Sequence, residues 1–274
     1  MFPGQPLTRE PVPSSDADFS ELSRLVLHRT GLDLASLTWA EAPHSEQVAL
    51  QVSGVFMSLH KLRCLLSTGV QPDIIAEHSL GIYAALAACG SVSEGDALEM
   101  AFRAGVCMEH SFVGEDYSLC CITGLTEQPL AAICRNNGVH IANFNTSRHF
   151  LISGRRTVIE AACEEARQAG AFSAATFTCD APLHTPLVEN IASALLNIFS
   201  DYNYREEAVP VLEHLEQKRL ASPQMAKFLT NELCRPVYWE KTYRALLCLG
   251  VTNFYETGSG LALTKFNRWI DSGN

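Results

Sequence analysis

Residues 74–90, Ile-Ile-Ala-Glu-His-Ser-Leu-Gly-Ile-Tyr-Ala-Ala-Leu-Ala-Ala-Cys-Gly, set one serine between a β-branched apolar run and an alanine-rich amphipathic run. Such a pattern predicts a strand, a sharp turn and a helix, with Ser79 on the turn and Gly81 two positions later. A serine held there is lifted out of the sheet, with its own Oγ and the next backbone N–H aimed into the same space. The positive end of the following helix favours an oxyanion or a deprotonated nucleophile. Ser79 is therefore the candidate covalent nucleophile. The first glycine of the G-x-S-x-G elbow is replaced by Glu77, a side chain expected to crowd the tight turn and to be solvent-facing or salt-bridged.

The chain has 274 residues, 47% of them hydrophobic, enough for one large α/β domain or a large domain carrying a smaller insertion. A net charge of -10 argues against a nucleic-acid surface. No C-x-x-C pair occurs among the ten cysteines, and several fall in helix-like apolar stretches, so they read as free, small hydrophobes. No signal peptide and no run of membrane-spanning length is visible, so the expected compartment is cytoplasmic with no membrane partner. Asn145-Thr146-Ser147 matches a glycosylation sequon and in that context is read as incidental.

Residues 46–68 carry apolar positions at helical spacing, followed by a strand at 73–76, the elbow, a helix at 80–89 and a Ser93-capped helix at 94–110. From about Tyr117 to Ala181 the pattern reads strand 119–125, helix 127–136, strands 139–143 and 150–153, helix 156–169 and strand 171–178. That β-α-β-β-α-β order is the ferredoxin-like unit. Helices at 186–199, 222–233 and 241–249, strands at 209–212 and 253–256, and a Gly258-Ser259-Gly260 loop before a last helix follow. The expected fold is a large hydrolase-like α/β domain with a central, mostly parallel sheet, at 1–116 and 182–274, with a ferredoxin-like α+β subdomain inserted at 117–181.

Ser79 in its elbow, the inserted unit and a lone downstream histidine in Pro182-Leu183-His184-Thr185-Pro186 form one combination. Phe2-Pro3-Gly4-Gln5, Glu46-Gln47-Val48-Ala49, Ala142-Asn143-Phe144-Asn145, Leu233-Cys234-Arg235-Pro236-Val237-Tyr238-Trp239 and Tyr255-Glu256-Thr257-Gly258-Ser259-Gly260 accompany it in order. The chain thereby resembles the malonyl-CoA:acyl-carrier-protein transacylase family, including the acyltransferases of polyketide synthases, over nearly its whole length. The resemblance implies a ping-pong acyl transfer between coenzyme A and acyl carrier protein thioesters through acyl-Ser79, with no cofactor or metal and a monomeric enzyme. It implies that His184 acts as base and acid, oriented by a backbone carbonyl near Glu232, which stands where the family has glutamine. It also implies an oxyanion hole from the N–H groups of Gln5 and Leu80, with Gln47 and Asn143 bracing loops or touching substrate.

Three departures bear on the substrate. Malonyl-specific members carry an arginine whose guanidinium forks onto the malonyl carboxylate. Aligning Gly105 and Met108 of Phe102-Arg103-Ala104-Gly105-Val106-Cys107-Met108 with the family puts Ala104 in that place and Arg103 one residue early, about 100° around a helix. Ile82 replaces the family's glutamate, and Glu77 is the third departure. The pocket is expected to prefer an uncharged acyl group. The same residues also admit malonyl transfer through a redirected Arg103, hydrolysis of acyl groups from acyl carrier protein, or a weakly active scaffolding role in a biosynthetic complex.

Overall fold

The computed structural model describes residues 1–7, 16–41, 43–258 and 260–273. The polar segment at 8–15 and Ser259 of the Gly-Ser-Gly loop lie outside the described residues. Helix α1 (Ala17–Thr30) was not expected from the sequence; Asp16 starts it by accepting from Phe19 N–H at 2.6 Å, and Phe19, Leu22 and Val26 bury its inner face. A short hairpin follows, β1 (Leu32–Asp33) with β2 (Thr38–Trp39). Helix α2 (Glu46–Ser67) is capped by Ser45, whose hydroxyl accepts from Val48 N–H and also bonds Asp180.

Strand β3 (Ile75–Ala76) leads into the elbow and into α3 (Gly81–Ala88), and α4 (Glu94–Ser111) is capped by Ser93 as expected. Phe2 pairs in parallel with Glu77 on one side of this strand, and β8 (Val211–Leu212) pairs in parallel with β3 on the other. The amino-terminal residues thus form one edge of a narrow parallel sheet whose centre delivers the elbow. Helices α1 to α4 cover it with a continuous core that includes Leu22, Phe56, Leu59, Leu86 and Met100.

The second sheet is built from β4 (Tyr117–Thr123), β5 (His140–Thr146), β6 (His149–Arg155) and β7 (Ser173–Cys179), with α5 (Glu127–Asn137) and α6 (Arg156–Gln168) between them. Its order, β7-β4-β6-β5, is that of a ferredoxin-like unit. A fifth strand, β9 (Val237–Tyr238), joins β5 in parallel, a pairing the sequence pattern did not announce. Alternation along β4 explains the packing: Cys120 and Ile122 face the core under α5 and α6, whereas Tyr117 and Leu119 face Met108 of α4 and Phe112 just beyond its end. Cys120 and Cys163 are disulfide-paired across the former core, contrary to the expectation of free thiols, while eight cysteines are free. A separation of 43 residues gave that pairing no local signature.

A 3₁₀ helix of two turns at Pro186–Ile191 precedes α7 (Ala192–Ser200), and a single turn at Ser222–Gln224 precedes α8 (Met225–Cys234). Helices α9 (Trp239–Cys248) and α10 (Ala262–Asp271) close the chain. Residues 253–256 are not a strand; they run beside the amino terminus, with Met1 N bonded to Tyr255 O at 2.6 Å and Thr257 N to Met1 O at 3.0 Å. Among the described residues, no helix is long and apolar enough to cross a membrane.

Candidate active site

The elbow forms despite Glu77. Ser79 has φ 54° and His184 φ 57°, two of the four described non-glycine residues with positive φ. Such backbone costs about 1–3 kcal/mol per residue and persists only where the surroundings enforce it. At Ser79 they do so through Gly81: a Cβ there would stand 2.3 Å from Phe2 O, so the edge strand packs directly on the turn. Gly81 and Ile82 donate to His78 O and Ser79 O, closing the first turn of α3. No described group accepts the Leu80 N–H beside the serine.

Ser79 Oγ lies 2.6 Å from His184 Nε2 although 105 residues separate them. His184 arrives on the loop before the 3₁₀ turn at Pro186 and is fastened at two points of α8, by its N–H to Leu233 O and its Nδ1 to Glu232 O, both at 2.9 Å. With Nδ1–H donating to that carbonyl, Nε2 carries the lone pair and accepts the Ser79 hydroxyl hydrogen bond. The ring is 3% exposed, and burial, reinforced by the neighbouring His214, holds its pKa down to about 4. The ring is therefore neutral at pH 7.

Gln5 Nε2 donates to Gln47 Oε1 at 2.8 Å, which ties the amino-terminal strand end to α2. Asn143 Nδ2 lies 3.3 Å from His78 Nε2, and Asn145 Oδ1 lies 2.8 Å from the same atom, so β5 braces the residue before the serine. Burial lowers the His78 pKa to about 4. Asn145 Nδ2 in turn meets His149 Nδ1 at 3.1 Å.

Glu77 is neither solvent-facing nor paired with a surface cation. Its carboxyl is fully buried and takes both His214 N–H, at 3.1 Å, and His214 Nδ1, at 2.8 and 2.9 Å to its two oxygens. His214 follows β8, the strand beside β3, so the two residues are brought together by the parallel pairing. Sequence reasoning missed His214; the available signal was a buried acid at the elbow in need of a partner.

Arg103 and Ala104 diverge as helical geometry requires. The Arg103 guanidinium turns to Asp201 Oδ2 at 2.6 Å and Tyr202 Oη at 3.3 Å, and lies over the Tyr202 ring. Ala104 is 1% exposed, within the core that contains Leu80, Ile82 and Tyr83. Ile82 is likewise a core residue. A cavity of about 730 Å³ opens at the opposite end of β3, lined by Val70, Pro72, Ile74 and Phe254; neither Ser79 nor His184 reaches it.

A family model described as an acyl transferase domain matches residues 15–253. The malonyl CoA-acyl carrier protein transacylase of Bacillus subtilis (strain 168) is 28% identical over 221 residues, covering 77% of this chain and 70% of the relative. The polyketide biosynthesis malonyl CoA-acyl carrier protein transacylase BaeC of Bacillus velezensis is 26% identical over 278 residues, covering 96% and 93%. Among solved structures, the acyl-carrier-protein S-malonyltransferase from Burkholderia pseudomallei 1710b superposes with a TM-score of 0.87 at 25% identity, covering 99% of this chain and 92% of that one. A chain from a type II polyketide synthase acyl-carrier protein in complex with its malonyl-transacylase superposes with a TM-score of 0.89 at 23% identity, over 99% and 92%, a likeness of fold. With the family match running through the elbow, the small sheet and the histidine loop, the chain belongs to the acyl transferase domain family.

Proposed function

We propose that this acyltransferase moves an uncharged acyl group between coenzyme A and acyl carrier protein through an acyl-Ser79 intermediate. The observation that carries the reading is the 2.6 Å contact between Ser79 Oγ and a buried, neutral His184 whose Nδ1 is fixed on Glu232 O. Ser79 Oγ attacks the thioester carbonyl carbon as its proton passes to His184 Nε2. The resulting imidazolium returns that proton to the departing sulfur, and the acyl group stays on Ser79. A second thiol then gives its proton to His184 and takes the acyl group, and His184 returns that proton to the released Ser79 Oγ. Proton transfer of this kind is worth ~10²–10⁴-fold in rate. The oxyanion is assigned to the N–H groups of Leu80 and Gln5, each donor contributing about 3–4 kcal/mol in comparable sites.

Arg103 supports the uncharged substrate. Its guanidinium is engaged by Asp201 and Tyr202, and the clamp position holds Ala104, so neither residue offers a malonyl carboxylate a free cation. Desolvating such a carboxylate without a cation is strongly unfavourable. The relatives, malonyl CoA-acyl carrier protein transacylases, support the carrier protein and coenzyme A as partners.

The test is intact-protein mass spectrometry after incubation with acetyl-, butyryl-, hexanoyl- and malonyl-CoA. A single acyl adduct lost in Ser79→Ala, stronger for the uncharged thioesters, is expected. No adduct with any thioester sinks the covalent mechanism, and a preference for malonyl sinks the substrate reading. Free acid released faster than acyl carrier protein is loaded would assign hydrolysis instead.

A further inference from the structure

Behind His184 lies a second set of buried titratable groups that acyl transfer by Ser79 and His184 does not itself require. Glu77, His214 and Glu232 are 0% exposed and stand in sequence: Glu77 on His214 Nδ1, His214 Nε2 at 4.0 Å from Glu232 Oε2, and Glu232 Oε2 at 3.7 Å from His184 Nδ1. Their bonding is unequal. Glu77 is fully engaged, whereas His214 Nε2 and both Glu232 carboxyl oxygens have no hydrogen-bond partner among the described residues. Orphaned buried polar atoms cost about 1–3 kcal/mol each, so three facing one another beside a catalytic ring call for an explanation. The Glu232 backbone carbonyl already orients His184, and its side chain is not needed for that.

We infer that Glu77, His214 and Glu232 form a proton-shuttling positioning relay that supplies His184 with a carboxylate only while His184 is charged. The inference rests on the reading of Ser79 and His184 as nucleophile and base. In the resting state Glu232 is a carboxylic acid, His214 is neutral with its proton on Nδ1, and Glu77 is the carboxylate that accepts it. When the Ser79 proton passes to His184 Nε2, the Glu232 carboxyl closes its 4.0 Å gap to His214 Nε2 to hydrogen-bond distance and its proton passes there. The imidazolium of His184 then faces the Glu232 carboxylate, and that of His214 stays on the Glu77 carboxylate. As His184 gives its proton to the leaving sulfur, the Glu232 proton returns. One proton moves each way, and the relay keeps a net charge of -1 throughout.

The surroundings agree with this assignment. Burial raises Glu77 and Glu232 alike, and Glu232 further through the Glu77 charge; the N–H and Nδ1 of His214 on Glu77, against no donor on Glu232, mark Glu77 as the ionised one, while burial lowers His214 to about 4. The groups facing the relay are His78 of the elbow, Tyr83 of α3, Glu213 beside His214, and Arg235 at the end of α8. Glu213 is occupied by the N–H groups of Leu215, Glu216 and Lys218 and is not free to take the proton. The Phe228 ring packs against His214 and helps keep water from the site.

Glu232→Gln keeps the shape and the backbone carbonyl but cannot release a proton, and Glu232→Asp keeps the proton. A fluorophosphonate probe, which labels an activated serine whatever its natural acyl group, reports the Ser79 rate against pH. ¹⁵N imidazole spectra report His214 directly. The expected outcome for Glu232→Gln is a folded protein labelled about tenfold more slowly at pH 7, with its pH midpoint lowered by roughly one unit, Glu232→Asp recovering part of the rate. The His214 titration also shifts in Glu232→Gln. Labelling at the wild-type rate and midpoint, or an unmoved His214 titration, overturns the relay. A wild-type protein that no probe labels overturns the Ser79 reading instead, and the His214 spectra then decide the coupling on their own.

Discussion

Two departures from the malonyl-specific pattern sit on neighbouring elements and meet opposite fates. At the elbow, a carboxyl enters where a glycine was expected, turns inward and is met by His214 from the adjacent strand. On α4, a guanidinium one residue early turns outward and finds Asp201 and Tyr202 near the surface. The first change is absorbed by a second residue inside the core and leaves the 2.6 Å contact between Ser79 and His184 in place. The second has no such partner inside: Ala104 stands in the apolar core, and Arg103 pairs near the surface. A compensated change can keep the chemistry, whereas an uncompensated one is where the proposed change of substrate would arise.

The largest effect expected from breaking this contrast comes from Glu77→Ala. It leaves the N–H and Nδ1 of a fully buried His214 without acceptors, and removing one partner of such a pair costs about 3–5 kcal/mol. Thermal denaturation should fall by roughly 10 °C. A loss below about 1 kcal/mol would mean that His214 finds another partner and that the pair is not what holds the altered elbow.

Acid should distinguish the two regions next. His78, His149, His184 and His214 are each held at about 4 by burial, against an ordinary 6.5. Because their folded pKa is depressed, their stabilising effect is complete above pH 6.5 and is lost as pH falls towards 4, up to about 3 kcal/mol per ring. Glu77 and Glu232, raised by burial, act in the opposite sense: their contribution is present below 4.5 and is lost as pH rises. Four rings outweigh two carboxyls, so the melting temperature should drop between pH 6.5 and 4. A flat or rising profile would contradict the neutral rings on which the base assignment depends.

Ala104→Arg tests the other region. An arginine at the aligned position is expected to improve acylation by malonyl-CoA relative to acetyl-CoA by ~10–100-fold, the range of charge-assisted hydrogen bonds of about 1.5–3 kcal/mol. The ratio of initial adduct rates measures it, alongside a melt that reports the strain of placing a long side chain at a 1% exposed site. An unchanged ratio in a folded variant would show that this position does not meet the acyl end.

Local signals carried most of the fold. Ser93 announced the start of α4, and the run at 119–125 read as the strand that β4 largely fills. Helix α1 was legible too, since Asp16 precedes Phe19, Leu22 and Val26 at helical spacing, but it went unread beside a polar segment. What local pattern could not supply was partnership. The Val237–Tyr238 strand is two residues long and exists because β5 offers it an edge; His214 acquires its role from a carboxyl 137 residues away. The Ser79 and His184 pairing was legible only through the resemblance, since nothing in either local sequence sets their mutual distance.

The smallest expected effect belongs to Arg103→Ala, and it sharpens the contrast most economically. The Arg103 side chain is 32% exposed and its partner Asp201 60%, so the ion pair is screened by water and contributes about 0–1 kcal/mol. The Tyr202 contact adds a cation–π interaction of similar size. If the guanidinium takes no part in holding substrate, removing it should change the melting temperature by only a few degrees and the rate of Ser79 acylation by less than about twofold, equally for charged and uncharged thioesters. Kinetics with acetyl- and malonyl-CoA at matched concentrations read this directly. A selective loss with malonyl-CoA would mean that Arg103 leaves Asp201 when a carboxylate arrives, returning the clamp from the wrong turn of α4. In that case the uncharged-acyl reading falls, even with Ser79 and His184 unchanged.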